Sequence, residues 1–203
     1  MIKRILDLFL ASIALVLLLP LFLVIAVLIK RGSPGSVFYR GTRVGRRGKP
    51  FRMYKFRTMV ANADQVGGPN TPADDPRITS LGRNMRRFNV DELPQFINVV
   101  VGDMSIVGPR PEVPEYVSLF TEEEEAILSV RPGITDPATL WIRDEGAILA
   151  GSSDPEKTYM EEIWPEKHRL QLDYVSNRSV WLDLKVMLLT LKSHLIDRFL
   201  SRA

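Results

Sequence analysis

Residues 8–29 read LFLASIALVLLLPLFLVIAVLI, an uncharged run set between Lys3-Arg4 and Lys30-Arg31. A helix needs about 20 apolar residues to cross a bilayer, so this run is long enough. It exceeds the roughly 7–15 residues of a signal-peptide core, and Lys30-Arg31 stands where a small-residue cleavage site would follow. Basic pairs at both ends give the positive-inside bias no direction. Pro20 lies mid-run, where it lacks an amide donor and crowds the carbonyl of Val16. Together these features suggest a re-entrant membrane helix over residues 1–31, bent near Pro20, with both ends on the cytoplasmic face. From the residues alone a spanning helix stays equally open.

The remaining residues, 32–203, are expected to form a small cytoplasmic domain. With 45% hydrophobic and 25% charged residues in 203, the chain can bury a core and is not disordered in bulk. There is no cysteine, which excludes disulfides and thiolate chemistry, and only two histidines, His168 and His194. A tetrahedral zinc site is therefore improbable. A metal here would be a hard cation held by carboxylate and phosphate oxygens, such as Mg²⁺.

The pattern predicts a mixed α/β fold that is mainly helical. Gly32-Ser33-Pro34-Gly35 reads as a turn, and Val37–Arg40 and Phe51–Phe56 as a short β-hairpin around Gly45-Arg46-Arg47-Gly48. Asn62–Pro76 reads as a loop in which Asp74-Asp75 is solvated. Helices are predicted over Ile78–Phe88 and Pro94–Val101, and Thr121 with Glu124 forms a capping box opening another before Pro132-Gly133. Residues 181–202 form an amphipathic helix with Leu184, Leu188, Leu191, Leu195 and Phe199 on one face. Lys185, Lys192, Arg198 and Arg202 lie among its polar positions, which favours a helix lying on the lipid interface over one packing in a core.

Two groups of residues can carry chemistry. Arg40, Arg43, Arg46, Arg47, Lys49, Arg52, Lys55 and Arg57 occur with no intervening acid, which calls for anions: nucleic acid, anionic lipid or a phosphorylated substrate. Asp91-Glu92 precedes Pro94, near a helix N-terminus that favours carboxylates and phosphates. Capping is the ordinary role there, since Asn89 and Glu92 have capping-box spacing. The surroundings argue for more. Arg83, Arg86 and Arg87 lie just upstream, and Pro109 and Pro111 hold Arg110 in an extended presentation suited to bidentate phosphate binding. Arg131 before Pro132 repeats that device.

Read in order, Lys55-Phe56-Arg57-Thr58-Met59, Asp91-Glu92-Leu93-Pro94-Gln95, Asn98 with Gly102-Asp103-Met104-Ser105, Gly108-Pro109-Arg110-Pro111 and Arg131-Pro132-Gly133-Ile134-Thr135 resemble the bacterial sugar transferases, the monotopic phosphoglycosyl transferases, in their minimal stand-alone form. The resemblance covers nearly the whole chain. It implies a re-entrant helix in the bacterial inner membrane, an active site on the cytoplasmic face, Mg²⁺ dependence, a UDP-sugar donor and a polyprenol (undecaprenyl) phosphate acceptor. It further implies that Asp91 takes the phosphosugar covalently as UMP leaves, and that Glu92 assists at the metal or the acceptor phosphate. Asp91 and Glu92 would hold the metal, and Lys55, Arg57, Arg86, Arg110 and Arg131 the substrate phosphates. The resemblance names neither the sugar nor the oligomeric state.

Two departures stand out: Leu19 where relatives often carry Ser before the bend proline, and Asp136–Trp141 with Arg143-Asp144-Glu145 in place of a Gln-containing loop. The competing reading is a non-enzymatic membrane-anchored protein that binds anionic lipid or nucleic acid through Arg40–Arg57. An aspartyl-phosphate phosphatase would need its paired aspartates after a buried strand, not in a Pro/Gly-rich loop.

Overall fold

A computed structural model describes residues 2–61, 63, 71–142, 145–150 and 152–193. The sequence expectations that fall on Asn62, 64–70, Arg143, Asp144 and 194–203 lie outside the described residues. Helix α1 (Ile2–Gly32) continues through Pro20 without interruption. At 31 residues it is about 45 Å long. Its buried positions, Asp7, Ala11, Phe22, Ile25 and Ile29, fall at helical spacing, and Leu15 and Leu18 fill the gap between them. One narrow stripe therefore packs on the body of the protein along the whole helix. The rest of its circumference is apolar and bare: Phe9 is 61% exposed and Val16 and Leu17 73%. Water does not tolerate so large an apolar surface, so a bilayer or another apolar partner must cover it.

Polar bonds fasten the first turns of α1. Lys3 Nζ donates to Asp183 Oδ2 (2.8 Å) and to the Val107 carbonyl (2.9 Å). Arg4 donates to the Val99 carbonyl (2.7 Å), while Asp7 accepts from Ser105 Oγ (2.7 Å) and the Ile106 amide (3.1 Å). At the other end Phe22, Ile25 and Ile29 join Phe56 and Met85 in one apolar cluster. Both ends of α1 thus rest on the same body.

Strands β1 (Phe38–Val44) and β2 (Pro50–Phe56) form the expected hairpin, with Phe38 opposite Phe56 and Val44 opposite Pro50. The first strand runs longer than its apolar residues indicate because every residue to Val44 pairs across the ladder. Helix α2 (Ser80–Arg87) starts later than predicted: Thr79 caps it, accepting from the Gly82 amide at 2.9 Å. Ile78 stays outside the helix, buried and bridged to Met59. A 3₁₀ turn (Val90–Glu92) leads into helix α3 (Gln95–Val101), which lies between α1 and the hairpin.

The parallel pair β3 (Ser105–Val107) and β4 (Gly133–Thr135) follows, flanked by short helices α4 (Pro114–Val117), α5 (Pro137–Trp141), α6 (Glu145–Leu149) and α7 (Pro155–Thr158). Gly108 and Gly133 touch so closely that a Cβ on Gly133 would sit 2.1 Å from the Gly108 amide nitrogen. That approach brings the residues around Arg110 against β4. The Thr121/Glu124 capping box is present, Glu124 accepting from the Thr121 amide at 2.8 Å, but it opens a 3₁₀ segment (Glu124–Ser129) and not an α-helix. Helices α8 (Trp164–Asn177) and α9 (Val180–Lys192) close the described chain.

On α9 the face carrying Leu184, Leu188 and Leu191 is bare, with Trp181 78% exposed, while Asp183 and Val186 turn inward. The core-packing role is therefore excluded for that face. Val180 and Leu184 adjoin Leu6 and Leu10 of α1, so the two helices share one continuous apolar surface.

Candidate active site

An open cleft of about 1830 Å³ runs between the hairpin, α2, the 3₁₀ turn and the segment after β3. The dyad expected at its heart is there. The turn that carries it begins at Asn89, which adopts a left-handed conformation (φ 52°, ψ 24°) and makes no side-chain cap. The expected Asn89/Glu92 capping box is thus absent. Asn is among the few non-Gly residues that visit this region readily, and doing so turns the chain sharply out of α2. The dyad accordingly occupies its own 3₁₀ turn, one step before α3 and outside its first turn.

The two carboxylates differ in environment. Glu92 is held on both oxygens: Lys55 Nζ donates to Oε1 at 2.7 Å, and the Arg110 fork takes Oε1 and Oε2, the latter at 3.0 Å. Burial works to raise its pKa, but Arg110 and Lys55 outweigh it and hold the group well below the usual carboxylate range. Asp91 is buried at 6% exposure, and among the described residues no other side chain hydrogen-bonds its carboxylate. Burial and then the Glu92 charge push its pKa up, against the pull of Lys55 and Arg86. The pair is thus asymmetric, with one acid locked as a counter-ion and its neighbour left available. That asymmetry is how neighbouring carboxylates acquire separate roles.

Local packing places the cations. A Cβ on Gly82 would lie 2.0 Å from the Thr58 carbonyl oxygen, so only glycine lets α2 seat against the end of β2. Arg86 then donates from Nε to Thr58 Oγ1 at 3.0 Å and faces Asp91. Lys55 sits on β2, opposite Tyr39, and burial lowers its pKa against the attraction of Glu92. Arg110 is steered from behind as well as in front: its amide donates to Asp136 Oδ2 at 3.0 Å. Asp136 is fully buried and also accepts from Gln171 Nε2 (2.9 Å) and from the Thr139 amide (2.6 Å), capping α5.

Of the phosphate-binding residues expected from the sequence, Lys55, Arg86 and Arg110 gather around the dyad. Arg57 lines the cleft, but its guanidinium donates to the carbonyls of Ser33 (2.9 Å) and Pro34, fastening the turn after α1. Arg131 donates to the Gly102 carbonyl at 2.8 Å and is not on the cleft wall. It braces the loop between α3 and β3. Asp75, expected to be solvated, is buried in a bidentate pair with Arg77, its Oδ2 accepting from Nη2 at 2.6 Å. Arg43, Glu112, Tyr159 and Lys167 also line the cleft and were not singled out as site residues. Arg43 lay within the basic run, whereas isolated acidic, phenolic and lysine positions carry no local signal.

Asp91 offers a hard oxygen free of competing side-chain bonds, which suits a Mg²⁺ ion completed by phosphate oxygens and water. Glu92 is already bonded at both oxygens by Lys55 and Arg110, so a metal there would share the carboxylate with them. Among the described residues no group of three or more His, Asp or Glu comes together.

Comparison with known proteins points the same way. Residues 1–197 match the family described as Bacterial sugar transferase. The chain is 40% identical over 177 residues to the uncharacterized sugar transferase EpsL of Bacillus subtilis, covering 87% of this chain and 78% of that one. It is 38% identical to the UDP-N-acetylgalactosamine-undecaprenyl-phosphate N-acetylgalactosaminephosphotransferase of Aeromonas hydrophila, over 95% of this chain and 43% of the relative. It is 35% identical to the UDP-glucose:undecaprenyl-phosphate glucose-1-phosphate transferase of Escherichia coli, over 98% and 41%. The chain thus spans less than half the length of those last two relatives. Three of the motifs that carried the resemblance, those holding Lys55, Asp91-Glu92 and Arg110, meet at one carboxylate pair, and the match runs almost from end to end. The chain belongs to the bacterial sugar transferase family.

Proposed function

We propose that this chain is a phosphoglycosyl transferase moving a sugar phosphate from a UDP-sugar to undecaprenyl phosphate, with release of UMP, at the cytoplasmic face of the bacterial inner membrane. The observation that carries the reading is Asp91, a buried carboxylate that no other side chain among the described residues binds, acted on by Lys55 and Arg86 beside a charge-paired Glu92. One Asp91 oxygen attacks the sugar-bearing phosphorus. The P–O bond to UMP breaks and UMP leaves with the electron pair. A phosphate oxygen of the polyprenol then attacks the same phosphorus and frees the Asp91 carboxylate. Lys55 and Arg86 offset the charge crowded around the phosphorus, and Glu92 keeps Lys55 and Arg110 in place. Mg²⁺ bound at Asp91 would neutralise diphosphate charge.

The membrane arrangement rests on α1. Both ends of this helix are tied to the body, at Lys3, Arg4 and Asp7 and again at Phe22, Ile25 and Ile29, which supports an arrangement in which it does not span the bilayer. It fits a re-entrant element whose bare side is immersed in lipid, with the exposed face of α9 at the interface. UDP-sugars are cytoplasmic, which sets the side.

The test is UMP release from a panel of UDP-sugars with undecaprenyl phosphate. Wild type should turn over, and Asp91→Asn should not, because an amide is a very poor nucleophile toward phosphorus. Asp91→Asn should still melt cooperatively. Mass spectrometry of wild type given donor alone should find one phosphosugar on Asp91. More than a trace of UMP release by Asp91→Asn would refute the covalent step.

A further inference from the structure

The cleft is roomier than a diphosphate needs, and its lining carries acidic groups besides the dyad. Around Asp91 stand Lys55, Arg86 and Arg110. Arg43 lines the same cleft, and Glu112, Arg110, Tyr39 and Glu92 all act on its charge. The same wall carries Glu112, Tyr159, Lys167 and Glu145. Glu112 is immobilised in an unusual way. Lys167 Nζ donates to its Oε1 at 2.5 Å and Tyr159 OH donates to the same oxygen at 3.0 Å. Its backbone is fixed too, since the Val44 amide donates to the Glu112 carbonyl at 2.9 Å. Among the described residues no bond reaches Oε2, and the Glu112 side chain keeps 10% exposure on the cleft. Burial works to raise the Glu112 pKa, while Lys167 and the two hydrogen bonds bring it below the ordinary carboxylate value.

A rigid, ionised carboxylate with one free oxygen is an acceptor only. It repels phosphate, and in a UDP-sugar it can accept only from the uracil N3–H, the ribose hydroxyls or the hydroxyls of the sugar ring. A hexose presents hydroxyl donors on every side. We infer that Glu112, held by Lys167 and Tyr159, accepts a hydroxyl of the donor's sugar ring through Oε2 and so helps to determine which UDP-sugar the cleft takes. This rests on the UDP-sugar reading above and deepens it.

Binding to the full chain carrying Asp91→Asn in lipid nanodiscs, read by calorimetry, tests the inference without turnover. Either reading can therefore fail alone, since UMP release by wild type tests the other. The ligands are UDP-glucose, UDP-N-acetylglucosamine, UDP-N-acetylgalactosamine and UMP. Adding Glu112→Gln should weaken the preferred UDP-sugar about tenfold, the loss expected for a hydrogen bond to a charged group. The order or spacing of the three donors should change, and UMP should bind within about twofold of its starting affinity. Tyr159→Phe keeps the Lys167–Glu112 pair but removes one restraint on the carboxylate, so it should shift the donor ratio in the same direction by a smaller factor. Parallel losses for UMP and all donors would place the nucleotide there, or reduce Glu112 to a structural role, and overturn the inference. So would unchanged affinities. If Glu112→Gln no longer melts cooperatively, Tyr159→Phe decides alone, and an unaltered donor ratio overturns the inference.

Discussion

Replacing Arg110 with lysine keeps the charge and removes the fork. In the structure the two terminal nitrogens of Arg110 bond both oxygens of Glu92, and its amide is tied to Asp136. Pro109 and Pro111 restrict the backbone on either side, so the main chain cannot shift to bring a shorter reach into line. A lysine ammonium is a point charge that replaces one of the two bonds at best. A hydrogen bond to a charged group contributes about 1.5–3 kcal/mol. The Arg110 side chain is 28% exposed, so solvent screening places the loss at the lower end of that range. About 1.5–2 kcal/mol corresponds to roughly a 10–30-fold fall in kcat/KM. Glu92 remains paired with Lys55, so the fold should hold, with the melting temperature lower by about 3–8 °C for a loss of that size in a chain of this length. Steady-state UMP release and thermal melting on the same preparation read both quantities. Kinetics within about threefold of wild type would refute the reasoning, because a fork worth one charge-assisted bond cannot be dispensed with so cheaply. A collapse of stability would refute it differently, by showing that the fork holds the fold.

Two other perturbations separate the proposal from its rivals. A cysteine at Ile2 should resist a membrane-impermeant thiol reagent in intact cells and react after permeabilisation, and the chain has no native cysteine to confuse the result; labelling in intact cells would sink the re-entrant arrangement. The acid limb of kcat/KM should follow Asp91, whose pKa burial and Glu92 raise above the ordinary carboxylate value of about 3.9. Activity requires the ionised form, so it falls as pH drops through that value. Arg86→Gln removes a charge that opposes the rise, and the limb should move to higher pH; an unmoved or lowered limb in folded protein would exclude Asp91 as its source.

Much of this was legible in the sequence because it was local. The α1 run, the hairpin around Gly45–Gly48 and the dyad before Pro94 each announce themselves within a few residues. The failures share a cause. Asn89 and Glu92 have the spacing of a capping box, yet Asn89 spends its conformation on a left-handed turn, and spacing cannot report φ. Asp75 in a Pro/Gly-rich loop reads as solvated until Arg77 folds back on it. Asp136 and the Glu112–Lys167 pair are charged residues of ordinary local pattern, and charged residues are almost never fully buried unless paired. Their partners lie 26 and 55 positions away, which no window of sequence reveals. Arg57 and Arg131, which the resemblance implies bind phosphate, have a second role that no motif announces: both donate to backbone carbonyls.

The placement of α3 explains why the membrane element and the chemistry belong to one body. This helix has seven residues, and it touches everything that matters. Val99 packs with Ala11 of α1, and its carbonyl holds Arg4. Asn98 accepts from the Tyr54 amide at 2.9 Å and donates to the Arg52 carbonyl at 2.8 Å, locking α3 to the strand that carries Lys55. The dyad turn joins its first residue through Leu93 and Pro94 alone. From the apolar helix α1 to Asp91 there is therefore one short step through α3. On the proposed function this matters, because the acceptor phosphate is itself tethered to the membrane at a nearly fixed depth. A site on a linker would have to search for it, whereas a site one seven-residue helix from α1 is held where the phosphate already lies.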